Sequence, residues 1–137
     1  MTRKLISALF LLTAISVGLG ALGHGSQWPR HVAPTLAGAS PAVVKLLELV
    51  WYWVSGAMLT LGALLVWAWW RMRQGETRLA FVPATIGAFY CIEGICGAWY
   101  LGLFFLIFVV QALLLWGTTW ALRGRAPGTP GPEPDGV

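Results

Sequence analysis

Apolar residues gather into long runs separated by short polar stretches, and the spacing of those runs predicts four helical spans. The first run, LISALFLLTAISVGLGALG from Leu5 to Gly23, carries no charge over ~19 positions, enough to cross a hydrocarbon core. Its basic start and the small residues Ala21 and Gly23 also fit a secretory signal peptide. The run exceeds the roughly 7–15-residue apolar core of such a signal, so an uncleaved anchor is expected. Residues 24–40 hold Pro29, Pro34 and both histidines and predict an irregular loop.

Ser40 followed by Pro41 reads as a helix start, because the hydroxyl can accept an orphan backbone N–H and proline needs no donor at the first position. A long helix should run from there to about Arg73, with the span proper over 45–70, and Gly75 should stop it. Between Leu79 and Leu122 there is no Lys or Arg and one acid, Glu93; at ~44 residues this stretch is twice one span and must fold back. Glycines and interfacial aromatics between Gly94 and Gly102 predict the break, giving spans of 79–97 and 101–122. The tail RGRAPGTPGPEPDGV, 123–137, has too little apolar surface to fold and is expected to be disordered. The predicted architecture is an all-α, four-transmembrane-helix antiparallel bundle forming one domain over 1–122.

Composition narrows the class further. The chain is 58% apolar and 10% charged, against roughly 45–50% and 25% for a soluble domain, and its 137 residues leave no room for a separate soluble catalytic domain. The basic residues then give the spans a direction. Arg3, Lys4, Arg71, Arg73, Arg78, Arg123 and Arg125 fall on one side of the alternating pattern, Arg30 and Lys45 on the other, which predicts both termini in the cytoplasm. Because these charges flank spans, topology and anionic headgroups account for the net +4, and no nucleic-acid partner is expected. Tryptophan supports the same boundaries as an anchoring belt: Trp28, Trp51, Trp53 and Trp99 lie on the outer side, and Trp67, Trp69, Trp70, Trp116 and Trp120 on the inner.

Small residues recur at helical spacing and suit close helix packing, within the bundle or against a second copy. They are Thr13, Ser16 and Gly20 on the first span; Gly56, Thr60 and Ala63 on the second; and Ala80, Ala84, Gly87 or Ala88, Cys91 and Gly94 or Ile95 on the third. Few polar residues remain for chemistry. Glu93 is an ionisable group in the outer third of a span, where Arg30, His24, His31 or Lys45 could reach it; it reads as a structural anchor or a proton site. Gln111 falls near mid-membrane and is expected to hydrogen-bond another helix through Thr60, Thr13 or Ser16. Lys45 and Glu48 form an i,i+3 pair near the outer headgroups. His24 and His31 are seven apart, too far for a helical metal pair, although Glu48 and Glu93 could join them in an outer metal or haem site. Cys91 and Cys96 point ~140° apart on a helix and read as two buried thiols. No nucleotide loop or hydrolase signature occurs, and no cofactor is implied.

Two local segments, KLLELVWYWVSG opening the second span and QALLLWG in the fourth, sit on either side of a basic turn. In this pattern the chain resembles, from Lys4 to Leu122, small uncharacterised four-helix bacterial inner-membrane proteins and, more distantly, DoxX-like membrane proteins. The resemblance implies a four-helix fold in a bacterial inner (plasma) membrane and carries no catalytic residue onto the chain. The function expected is that of a noncatalytic accessory or oligomeric subunit, with the bilayer and a second copy or another membrane protein as partners. The alternatives are a small transporter or proton-coupled permeation module using Glu93, and the metal or haem site at His24 and His31.

Overall fold

A computed structural model describes residues 2–123. Apart from Arg123, which ends the last helix, the tail expected to be disordered lies outside the described residues. All regular structure among the described residues is helical: α1 (Arg3–Gln27), α2 (Pro41–Arg73), α3 (Phe81–Tyr100) and α4 (Leu106–Arg123). By length and composition, four helical segments can each cross a membrane.

The segment expected as a loop over 24–40 is helical as far as Leu36. Beyond α1 the chain continues through a π-helical turn, Trp28–Val32, and a 3₁₀ turn, Ala33–Leu36. Pro29 is the cause. It brings no N–H to the carbonyl of Gly25, which the Trp28 N–H meets instead, and the Ala33 N–H reaches back five residues to Trp28. The helix thus widens around the proline rather than ending at it. Pro34 falls at the start of the 3₁₀ turn, where a missing donor costs little, and the chain reverses at Gly38, whose φ of +100° suits glycine.

The start of α2 follows local chemistry: Ser40 Oγ accepts the Val43 N–H at 3.4 Å and Pro41 takes the first helical position. At its end Gly75 adopts φ +99°, the Gly75 N–H reaches Met72 O and the Glu76 N–H reaches Arg71 O, a Schellman closure that satisfies two orphan carbonyls. A 3₁₀ turn, Thr77–Ala80, leads into α3, and Pro83 sits buried in its first turn. The reversal before α4 is narrower than the expected 94–102 region. It occupies Leu101 and Gly102, the latter at φ +124°, followed by a 3₁₀ turn at Leu103–Phe105. Gly94 and Gly97 lie inside α3, where their missing side chains admit α4.

Helices pack as two antiparallel pairs, α1 with α2 and α3 with α4, joined along an α1–α4 contact, while α2 and α3 touch only slightly. The core is built by Phe10, Ala14 and Val17 of α1, Leu65 of α2, Ile86 and Tyr90 of α3, and Ala112 and Leu115 of α4. At the α1–α2 crossing Gly18 and Gly62 meet backbone to backbone; a Cβ on Gly62 would fall 2.6 Å from Gly18 N. The small stripe of the third span faces inward through Ala80, at the end of the 3₁₀ turn, and Gly87 and Gly94 of α3, with Ala88 and Ile95 turned out. On α2 the expected stripe of Gly56, Thr60 and Ala63 faces outward instead. The buried residues of that helix are Gly62, Leu65, Ala68 and Met72, so the half between Pro41 and Leu61 buries none. The expectation of two buried thiols also fails: Cys91 is half-buried and Cys96 exposed, because Cys96 lies on the α3 face turned away from α4.

Candidate functional site

Two polar seams hold α1 to α2, one at each end of the pair. At the far end from the N-terminus the His24 ring stacks on Trp51, with centroids 4.1 Å apart and planes 14° from parallel, and Trp51 Nε1–H donates to the His24 carbonyl at 2.7 Å. Trp28, 4% exposed, packs at a tilt against Trp51. Such an offset aromatic pair with a satisfied indole N–H contributes roughly 1–3 kcal/mol in all. The Ser55 hydroxyl turns back to Trp51 O at 3.2 Å and lies 3.0 Å from His24 Nδ1. Since its one proton is spent on the carbonyl, this hydrogen-bond count assigns the Nδ1–H tautomer to His24, which donates to Ser55 Oγ and leaves Nε2 an acceptor without a partner among the described residues.

Next to this seam a cavity of about 530 Å³ opens between α1, α2 and α4. Met58, Phe105, Ile107 and Phe108 supply apolar wall, His24, Gln27 and Trp51 line one part, and Ser16 and Gln111 another. Gln111 finds one of the three partners expected from its depth: its Nε2 donates to Ser16 Oγ at 3.0 Å. Ser16 has already given its proton to Thr13 O at 2.8 Å, which fixes the amide orientation and turns Gln111 Oε1 away. That oxygen is buried without a hydrogen-bond partner, a cost on the order of 1–3 kcal/mol that offsets the bond made on the other side.

Other expected residues are not brought together. Glu93 is half-buried on α3 and does not line the cavity; Tyr90 and Gly97, which share its face, pack on Phe108 and Phe105 of α4. Neither Arg30, His24, His31 nor Lys45 pairs with it. The one ion pair among the described residues joins Arg71 to Glu76 across the α2–α3 turn, so the expected Lys45–Glu48 pair is also unmade. Arg30, His31 and Lys45 are exposed and Glu48 half-buried. Among the described residues no three His, Cys, Asp or Glu side chains gather as a metal site would require. The physical reason is the extension of α1 past Gln27: it holds His24 against α2 and places His31 two turns further along, where a loop could have folded it back.

Sequence reasoning missed the second use of tryptophan. Trp53, Trp67, Trp70, Trp99 and Trp120 face outward, as a belt requires. Trp51, Trp69 and Trp116 instead fasten helices through their indole N–H. Trp69 donates to Ser7 O at 3.0 Å and Ser7 Oγ at 2.9 Å, and Trp116 donates to Ala84 O at 2.9 Å over the space left by Gly87. The available signal was a small or hydroxyl residue on the neighbouring helix opposite the ring, Ser7 for Trp69 and Ala84 with Gly87 for Trp116. No protein-family model matches the chain, and neither the curated proteins nor the solved structures compared with it contain a match.

Proposed function

We propose that the chain is a noncatalytic multi-pass protein of a bacterial inner membrane, akin to small uncharacterised four-helix inner-membrane proteins and more distantly to DoxX-like ones, with both termini cytoplasmic. In this reading it acts as an accessory or oligomeric subunit through α2. The observation that carries the reading is the outward face of that helix. A shallow groove of about 510 Å³ runs over Trp53, Gly56, Ala57, Thr60 and Leu61, in the half of α2 that buries nothing within the bundle. Gly56 and Thr60, four residues apart, with Ala57 beside them, let a second backbone approach. Thr60 already donates to Gly56 O at 2.9 Å, so the groove offers packing without an unmet polar group. A second copy presenting the same face forms a symmetric pair. The orientation rests on the basic residues, which collect at the end holding the start of α1 and the ends of α2 and α4.

The test uses a chain with Cys91 and Cys96 replaced by alanine and Ala57 by cysteine. Mild oxidation in native membranes should give a species of twice the chain mass, and adding Gly56→Leu should abolish it without unfolding the protein, since nothing lies within 4 Å of a Cβ at Gly56. A chain that stays monomeric under oxidation and copurifies with no membrane protein would sink the proposal.

A further inference from the structure

At the end of the bundle that gathers the basic residues, a cavity of about 600 Å³ is lined by Arg3, Lys4 and Ser7 of α1, Arg73 of α2 and Leu122 of α4. The sequence accounts for these charges as topology; their arrangement goes further. We propose that this cavity is a binding site for the headgroup phosphate of an anionic phospholipid.

The site is held in place by the second α1–α2 seam. Trp69 donates to both oxygens of Ser7, and the Arg73 guanidinium lies over the Trp69 ring, 5.0 Å from its centroid, so one indole fixes a hydroxyl and a cation on neighbouring walls. Ser7 Oγ accepts from Trp69 and makes no hydrogen bond as donor among the described residues, unlike Thr13 and Ser16, which spend their protons on carbonyls of their own helix. Its O–H is left for a ligand. Arg3 and Lys4 are the first two residues of α1, and of the early N–H groups it is Leu5 that reaches the Thr2 side chain, so the first-turn donors and the positive end of the helix dipole add to the two side-chain charges.

Among the described residues no acid pairs with any of the three cations that share this cavity. Glu76 is engaged by Arg71, while Glu48 and Glu93 lie in other parts of the bundle. Like charges held together repel, and a phosphate accepting from Arg73, Lys4 and Ser7 relieves that repulsion. A lipid rather than a free anion fits the setting: the cavity lies at the ends of helices long and apolar enough to cross a membrane, where a headgroup would sit, and Leu122 forms part of its wall.

The experiment measures retained lipid on the full-length protein by native mass spectrometry, after exchange into neutral detergent with phosphatidylglycerol and phosphatidylcholine in equal amounts. The wild-type chain should retain phosphatidylglycerol preferentially. Arg3→Gln, Lys4→Gln and Arg73→Gln together should weaken retention on the order of a hundredfold, about fivefold per charge. Removing two charges outside the cavity, with Arg78→Gln and Arg123→Gln, should leave it unchanged. No preference in the wild-type protein overturns the proposal whatever the variants do. So does equal loss in both variant sets, which would mean diffuse surface charge, and so does displacement of the lipid by millimolar inorganic phosphate, which would mean a free-anion site.

Discussion

Replacing Gly62 by leucine should destabilise the folded chain by about 3 kcal/mol or more, a loss large enough to populate the unfolded state of a marginally stable bundle. A Cβ there would lie 2.6 Å from Gly18 N and 3.3 Å from Ala14 O. These are backbone atoms of α1 and cannot rotate aside as a side-chain tip would. Relief requires α1 and α2 to separate along the seam where Phe10, Val17 and Leu65 are buried, forfeiting dispersion contacts over the whole interface. An opposing effect exists: exchanging a helical glycine for a better helix former gains at most about 1 kcal/mol. Overpacking outweighs it at Gly62. At Gly117, where nothing lies within 4 Å of a Cβ, the propensity gain stands alone and alanine should be neutral or mildly stabilising. Reversible unfolding in mixed micelles, followed by tryptophan fluorescence, measures both; equal stability of the Gly62→Leu and wild-type proteins would contradict the observed crossing.

The second large effect is expected at Gly94. Leucine there would bring its Cβ to 2.9 Å from Val109 N, 2.8 Å from Val109 Cγ2 and 3.1 Å from Phe105 O, again mostly backbone, and should cost about 2–4 kcal/mol by splaying α3 from α4. At the neighbouring Gly97 the nearest atoms are the ring and Cβ of Phe105; the ring can turn, but the Cβ at 2.8 Å is fixed by the backbone, so the same exchange there should also destabilise the α3–α4 pair. Gly62 and Gly94 belong to different helix pairs. Their penalties should therefore add within roughly 0.5 kcal/mol in the double variant. A double variant no worse than either single one would mean that one seam carries the stability of both.

Much of the architecture was legible because local chemistry settles it. Ser40 and Pro41 begin α2 whatever surrounds them, Gly75 ends it through a backbone closure, and the charge-free length from Leu79 to Leu122 forces a reversal. What escaped depends on partners. Gly94 and Gly97 looked like a flexible break, yet glycine serves equally for turns and for close helix approach, and only the position of α4 decides. Pro29 looked like a stop, but a single missing donor can be absorbed by widening one helical turn. Tryptophans suited to the interface and tryptophans suited to an interhelical carbonyl have the same composition signal; Trp53 and Trp51, two residues apart, differ in which face of α2 they occupy.

Among the polar residues, depth left Gln111 three hydroxyls within reach, Thr60, Thr13 and Ser16, and its amide meets one of them, Ser16. Depth gave Glu93 no such partner. The expectation of a proton route through Glu93 asks for a polar cavity beside it; the cavity that meets His24 and Gln111 lies between α1, α2 and α4, and Glu93 does not line it. The basic cluster was read for its sign and side, and its geometry around Ser7 and Trp69 became visible only when α1 and α2 were placed together.

The proposed topology has four spans with Arg3, Arg73 and Arg123 on the cytoplasmic side. Labelling with a membrane-impermeant maleimide tests it most directly, in intact cells carrying a single cysteine in a Cys91→Ala, Cys96→Ala chain. Cysteine at Ala37, between α1 and α2, should be labelled without permeabilisation, as should cysteine at Tyr100 before the α3–α4 turn; cysteine at Gln74 should react only after the membrane is opened. Labelling of Gln74→Cys from outside, with Ala37→Cys protected, would invert the topology and contradict the account.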